Sequence, residues 1–80
     1  MKNEQAEKIT KGRKTKDLIN DLILTGMMMD RTKDAVKRTN LATVRGWIMD
    51  ELEERNPEAY WAWIEESDED EDLKKYYGVA

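Results

Sequence analysis

The run Asp68-Glu69-Asp70-Glu71-Asp72 places Asp at relative positions 1, 3 and 5, the way a calcium loop of the EF-hand type begins. The residues that follow do not complete it. Position 6 is Leu73 instead of the glycine that permits the sharp turn, and position 12 is Val79 instead of a bidentate Glu. The alternative is electrostatic: these acids flank the positive N-terminal end of a last short helix.

Proton-transfer and nucleophilic chemistry draws on His, Cys, Ser or paired carboxylates held in a cleft. This chain has no His, no Cys and one serine, Ser67, inside the acidic stretch. With 80 residues there is also little room for the ~300 Å³ or more that encloses a small substrate. An enzyme is not expected, and no cofactor, metal or small-molecule substrate is predicted.

A nucleic-acid reading starts from Asp30 to Arg38 as one helix, Thr39-Asn40 as a turn and Leu41 onward as a second helix. In such a helix-turn-helix, Thr43 and Arg45 would reach base edges in the major groove. Lys8, Lys11, Arg13, Lys14 and Lys16 would add phosphate contacts from a basic tail. Against it, the turn lacks glycine and its spacing is tight. The second helix also continues into Asp50, Glu51, Glu53 and Glu54, which duplex phosphates repel.

Tyr60, Trp61 and Trp63 are three of the six aromatic residues, and large rings supply most of the apolar area a small domain can bury, so the group reads as core. Trp61 and Trp63 lie two positions apart and cannot share one helical face, so one ring is expected outside. The spacing of Tyr60, Trp61 and Ile64 predicts that this face docks and that Trp63 points away. Met27, Met28 and Met29 cannot all enter a small core, and methionine suits surfaces that re-pack around partners. Met28, Met29 and Trp63 are therefore the candidate protein-binding residues. They lead to a noncatalytic interaction or regulatory protein that binds a protein partner or itself, with a homodimer plausible. The alternative is a DNA-binding regulator using residues 30–48 with Lys11, Arg13, Lys14, Thr43 and Arg45. A third reading takes the acidic second half as a nucleic-acid mimic.

The elements that must position these residues are helical throughout. Leu18, Ile19, Leu22, Ile23 and Met27 fall at three- and four-residue spacings, with Thr15 to cap the start and Gly26 to close the end. Asp30 is placed to cap a short helix through Arg38, with Ala35 and Val36 facing inward. Thr39 or Asn40 is placed to cap a longer one through about Arg55, carrying Leu41, Val44, Ile48 and Leu52. Asn56-Pro57-Glu58 predicts a corner, with proline at the first position of a new helix under an Asn cap. Ser67 and Asp70 match the spacing of a capping box before Leu73, Tyr76 and Tyr77, which Gly78 closes.

The expected fold is all-α, a small bundle of four to five short helices over residues 15–80, with residues 1–14 a flexible basic tail. Its predicted inside is Leu18, Ile23, Leu41, Val44, Ile48, Trp61 and Ile64. No apolar run approaches the ~20 residues that span a bilayer, and the first seventeen residues lack the apolar stretch of a secretory signal. A cytoplasmic protein without disulfides is expected. Charge is uneven along the chain. Residues 1–45 carry 11 Lys/Arg against 6 Asp/Glu, and residues 46–80 carry 3 against 12, a polarity that steers charged partners or pairs copies.

Overall fold

The computed structural model describes residues 4–67 and 69–79. They form an all-α bundle: α1 (Glu4–Thr10), α2 (Thr15–Arg31), α3 (Ala35–Arg55), α4 (Pro57–Glu66), a 3₁₀ turn (Asp70–Asp72) and α5 (Leu73–Tyr76). Among the described residues there is no strand and no helix long and apolar enough to cross a membrane.

Helix α2 begins one residue earlier than a Thr15 cap implies. Lys14 holds the extended capping position without a side-chain bond, and Thr15 is already helical. The Thr15 hydroxyl instead receives Arg55 Nη1 at 3.2 Å. Nor does Gly26 end the helix, which runs on through Met27–Met29 to Arg31. Straight-chain methionines favour the helix, and Gly26 serves packing, as the site below makes clear.

The second helix expected over 31–38 and the turn at Thr39-Asn40 are replaced by one uninterrupted α3. The chain reverses at residues 32–34, where the Asp34 carboxylate accepts from Val36 N at 2.9 Å and Lys37 N at 3.2 Å, satisfying two orphan donors. Thr39 does not cap because its hydroxyl donates back to the Ala35 carbonyl at 3.0 Å. Thr43 likewise donates to Thr39 at 3.0 Å. Hydroxyls satisfied four residues upstream stay inside a helix instead of interrupting it. At 1.5 Å per residue α3 is about 32 Å long, comparable with the longest dimension of the molecule, 34 Å.

The corner after α3 follows the sequence expectation. Asn56 Oδ1 accepts from Ala59 N at 3.1 Å, and Pro57 opens α4 where its missing N–H costs nothing. The end of α5 does so too. Gly78 takes φ +66°, Val79 N reaches the Lys74 carbonyl at 3.0 Å and Gly78 N the Lys75 carbonyl at 3.3 Å, a Schellman closure. The Ser67–Asp70 box does not form. The Ser67 hydroxyl donates to Asp72, and Asp70 is engaged elsewhere.

The core is Leu18, Ile19 and Leu22 of α2, Ile48 and Leu52 of α3, Tyr60 and Trp63 of α4, and Leu73 of α5. Ile23, Val44 and Ile64 pack around it half-buried, while Leu41 stays partly open. Which aromatic ring goes inside is reversed from expectation: Trp63 is 2% exposed and Trp61 is 50% exposed. The face at 59, 60 and 63 obeys the same three- and four-residue rule as that at 60, 61 and 64. What favours the first is a partner for the indole, whose Nε1 donates to the Glu69 carbonyl at 2.6 Å.

Residues 4–14 do not form the expected tail. Helix α1 packs on α3 with Ala6 and Thr10 buried, small side chains one turn apart that let two backbones approach. Arg55 closes the contact. Its Nη2 donates to the Thr10 carbonyl at 3.0 Å, and its Nε to Glu51 Oε2 at 2.9 Å. Glu51 is itself buried. A charge inside is tolerated where it is paired, and here Lys11 Nζ lies 3.5 Å from the other oxygen of the same carboxylate.

Candidate protein-docking site

The facing sides of α2 and α3 form one seam. On α3, Lys37, Leu41, Val44, Ile48 and Leu52 recur at helical spacing along it, and Leu18, Leu22 and Met28 of α2 with Thr32 just beyond its end line the other side. At the lower end the seam is covered. Helix α4 packs on α3, and the 3₁₀ turn and α5 pack on α2. The last covering contact is Asp70, which reaches across α2 to Arg45 of α3. Arg45 Nη1 donates to Asp70 Oδ2 at 2.8 Å and to the Leu22 carbonyl at 3.2 Å, and Nη2 donates to Asp70 Oδ1 at 2.6 Å.

Gly26 is what lets this pair lie so close. A Cβ there would sit 2.9 Å from Asp70 Oδ2 and 3.3 Å from Arg45 Nη1. The carboxylate beside it raises the Arg45 pKa above its already high ordinary value, more than burial lowers it.

Beyond the pair, toward the hairpin tip, the seam opens. Met28, Thr32, Lys37, Asn40, Leu41 and Val44 line a groove of about 260 Å³, almost wholly apolar. Val36, expected to face inward, is 69% exposed, and Met28 is 45% exposed. Leu24 and Met27 are also exposed. Met28 is the one of these that lines the groove. Around it Arg31, Lys33, Lys37 and Arg38 are exposed, against Asp30 and the Asp34 already spent on capping.

No protein-family model, curated protein or solved structure matches this chain. The chemistry of the groove itself is what bears on function.

Of the residues expected to bind protein, Met28 lines the groove, Met29 lies half-buried beside it and Trp63 is in the core. The nucleic-acid candidates are scattered and mostly engaged within the chain. Lys11 Nζ sits 3.2 Å from Glu54 as well as near Glu51, Arg13 Nε is 2.7 Å from Asp21, and Arg45 holds Asp70. Thr43 is exposed with its hydroxyl satisfied inside α3, and Lys14 is exposed at the start of α2. The acidic run diverges as well: Asp70 turns to Arg45 and Asp72 to Ser67, while Asp68 lies outside the described residues. Among the described residues no group of three or more acidic side chains is placed to hold a metal ion.

Sequence reasoning missed Leu41 and Val44 as groove residues because their spacing is also that of a core stripe. The only available signal was the number of apolar positions near Met28, more than so small a core takes in.

Proposed function

We propose that this chain is a noncatalytic protein-interaction module that docks a partner polypeptide in the apolar groove at the tip of the α2–α3 hairpin. One observation carries the reading. Met28, Leu41 and Val44 continue the core seam past the point where other elements cover it, and Met28 is 45% exposed at the opening. Clustered apolar surface of this kind marks sites of association, and flexible methionines adapt to what docks. Three of the five residues considered for nucleic acid, Lys11, Arg13 and Arg45, spend their charge on internal acids, which favours a protein partner over DNA.

The test is site-specific photo-crosslinking in cells that express the protein, with the reactive group at position 28 or, as a control, at exposed Asn20 on α2. Position 28 is expected to give one discrete adduct that position 20 does not, and Leu41→Asp, on the groove floor, is expected to remove it. The same diffuse adducts from both positions would overturn the reading.

A further inference from the structure

The groove is apolar on its floor and cationic at its rim, so its occupant should present a large apolar side chain between acids on one helical face. Such a face exists in the same chain. On α4, Glu58, Trp61 and Glu65 are all exposed and stand three and four residues apart, which aligns them on one side of the helix. Trp61 is held edge-on against Tyr60, with ring centroids 5.5 Å apart and planes at 88°, so the exposed indole has a defined orientation.

We infer that the groove receives the outer face of α4 from a second copy of this chain, with Trp61 seated between Met28, Leu41 and Val44. Glu58 and Glu65 then face Lys37 and the neighbouring Arg31, Lys33 and Arg38. This rests on the groove being the docking site and names what fills it. Charge complementarity selects the pairing. Groove against groove would set Lys37 and Arg38 of one copy beside those of the other, and α4 against α4 would oppose Glu58 and Glu65, whereas groove against α4 matches opposite signs. Tryptophan is the side chain most enriched among the anchors that dominate binding.

The same groove–α4 contact builds a two-fold dimer when both junctions are exchanged reciprocally, and a ring or an open chain when each junction joins a different copy. A single anchor in a small contact predicts weak association, with Kd on the order of 10–100 µM at low salt, weakening further as salt screens the rim.

Sedimentation of the full chain tests this through complementation. Trp61→Ala keeps the groove and loses the anchor, while Met28→Asp keeps the anchor and loses the groove. Each variant alone is expected to sediment as a monomer, with helical circular dichroism unchanged and association weakened about tenfold or more. Mixed in equal amounts, they are expected to form a heterodimer and nothing larger, because only one productive junction remains. A mixture that stays monomeric, or a wild type that stays monomeric to about 1 mM, would overturn the inference.

The outcomes separate this inference from the reading beneath it. A monomeric wild type whose position 28 crosslinks to a different protein removes the second copy and leaves the groove. Self-association untouched by Met28→Asp removes the second copy from the groove. An added duplex-DNA arm at low salt that protects residues 33–40 in the monomeric variants, with Trp61 unaffected in wild type, would also overturn it.

Discussion

Arg45 and Asp70 form a two-pronged ion pair directly over Gly26, at 2.8 and 2.6 Å, and this pair marks where the closed core ends. Both side chains are mostly buried. On one side of them the α2–α3 seam is sealed by α4, α5 and the 3₁₀ turn. On the other the same seam is the open groove. A polar contact thus sets the boundary between the apolar surface that stabilises the fold and the apolar surface that stays open in the proposed docking groove.

In an exposed helix interior, Gly→Ala stabilises by about 1 kcal/mol. At Gly26 the added methyl must displace Asp70, so Gly26→Ala is expected to gain less than that, or to lose. In an Asp70→Ala background the nearer obstruction is gone and Arg45 loses the partner that holds it there, so most of the gain should return. Urea unfolding of the four proteins measures the coupling, and equal effects of Gly26→Ala in both backgrounds would contradict the geometry.

The two tryptophans of α4 should differ sharply in their contribution to stability. Trp63→Ala empties a core position and is expected to cost about 3–5 kcal/mol, much of the stability of a domain this size. Trp63→Phe keeps the fold measurable and should cost less. Trp61→Ala, half-exposed and losing mainly its edge-on contact with Tyr60, should cost about 0.5–1.5 kcal/mol. Denaturant midpoints for the three variants decide the matter, and a larger loss at Trp61 than at Trp63→Phe would reverse the assignment.

Arg55 ties α1 to the bundle through the Thr10 carbonyl while neutralising buried Glu51. Arg55→Ala is expected to destabilise by about 2–4 kcal/mol, because the buried carboxylate loses an ion-pair partner at 2.9 Å. Hydrogen exchange offers a more local reading. Amides of the last turn of α1 should lose protection ahead of those of α3, and protection of α1 equal to wild type would show that Arg55 does not hold it.

Tyr77 donates its hydroxyl to the Leu52 carbonyl, and burial, with smaller contributions from Tyr60 and Glu53, pushes its pKa from the ordinary 10.0 up to about 12. The folded state therefore keeps a proton that the unfolded chain has lost across that window. The contribution is intact below pH 10.0 and disappears as pH rises toward about 12. Thermal melts over this range should fall more steeply for wild type than for Tyr77→Phe, and parallel slopes would count against the shift.

Much of the fold was readable where a residue has one structural use. Asn56-Pro57 made the corner, Gly78 closed α5, and Leu18 and Ile48 went inside. The readings that failed involve residues with two. Gly26 could end a helix or admit a close neighbour, and the neighbour is Asp70, more than forty positions away and invisible to local spacing. Asp30 and Asp34 are equally good caps by type, and tertiary packing selected Asp34. Helix α1 was missed because its buried face is Ala6 and Thr10, which carry no apolar stripe, and because its anchor is the distant Arg55. At the candidate groove Met28 was legible as a methionine too many for the core. Trp61 and Trp63 were exchanged because both satisfy the periodicity, and the Glu69 carbonyl that decides between them lies beyond α4.

The most direct measurement is a dilution series of two-dimensional amide spectra, with the tryptophan indole resonances followed alongside. The account predicts that concentration-dependent shifts fall on two patches, Met28 to Val44 around the groove and Glu58 to Glu65 with the Trp61 indole. Trp63 and α1 should stay fixed. Shifts confined to other surfaces, with the groove resonances unmoved at every concentration, would contradict it.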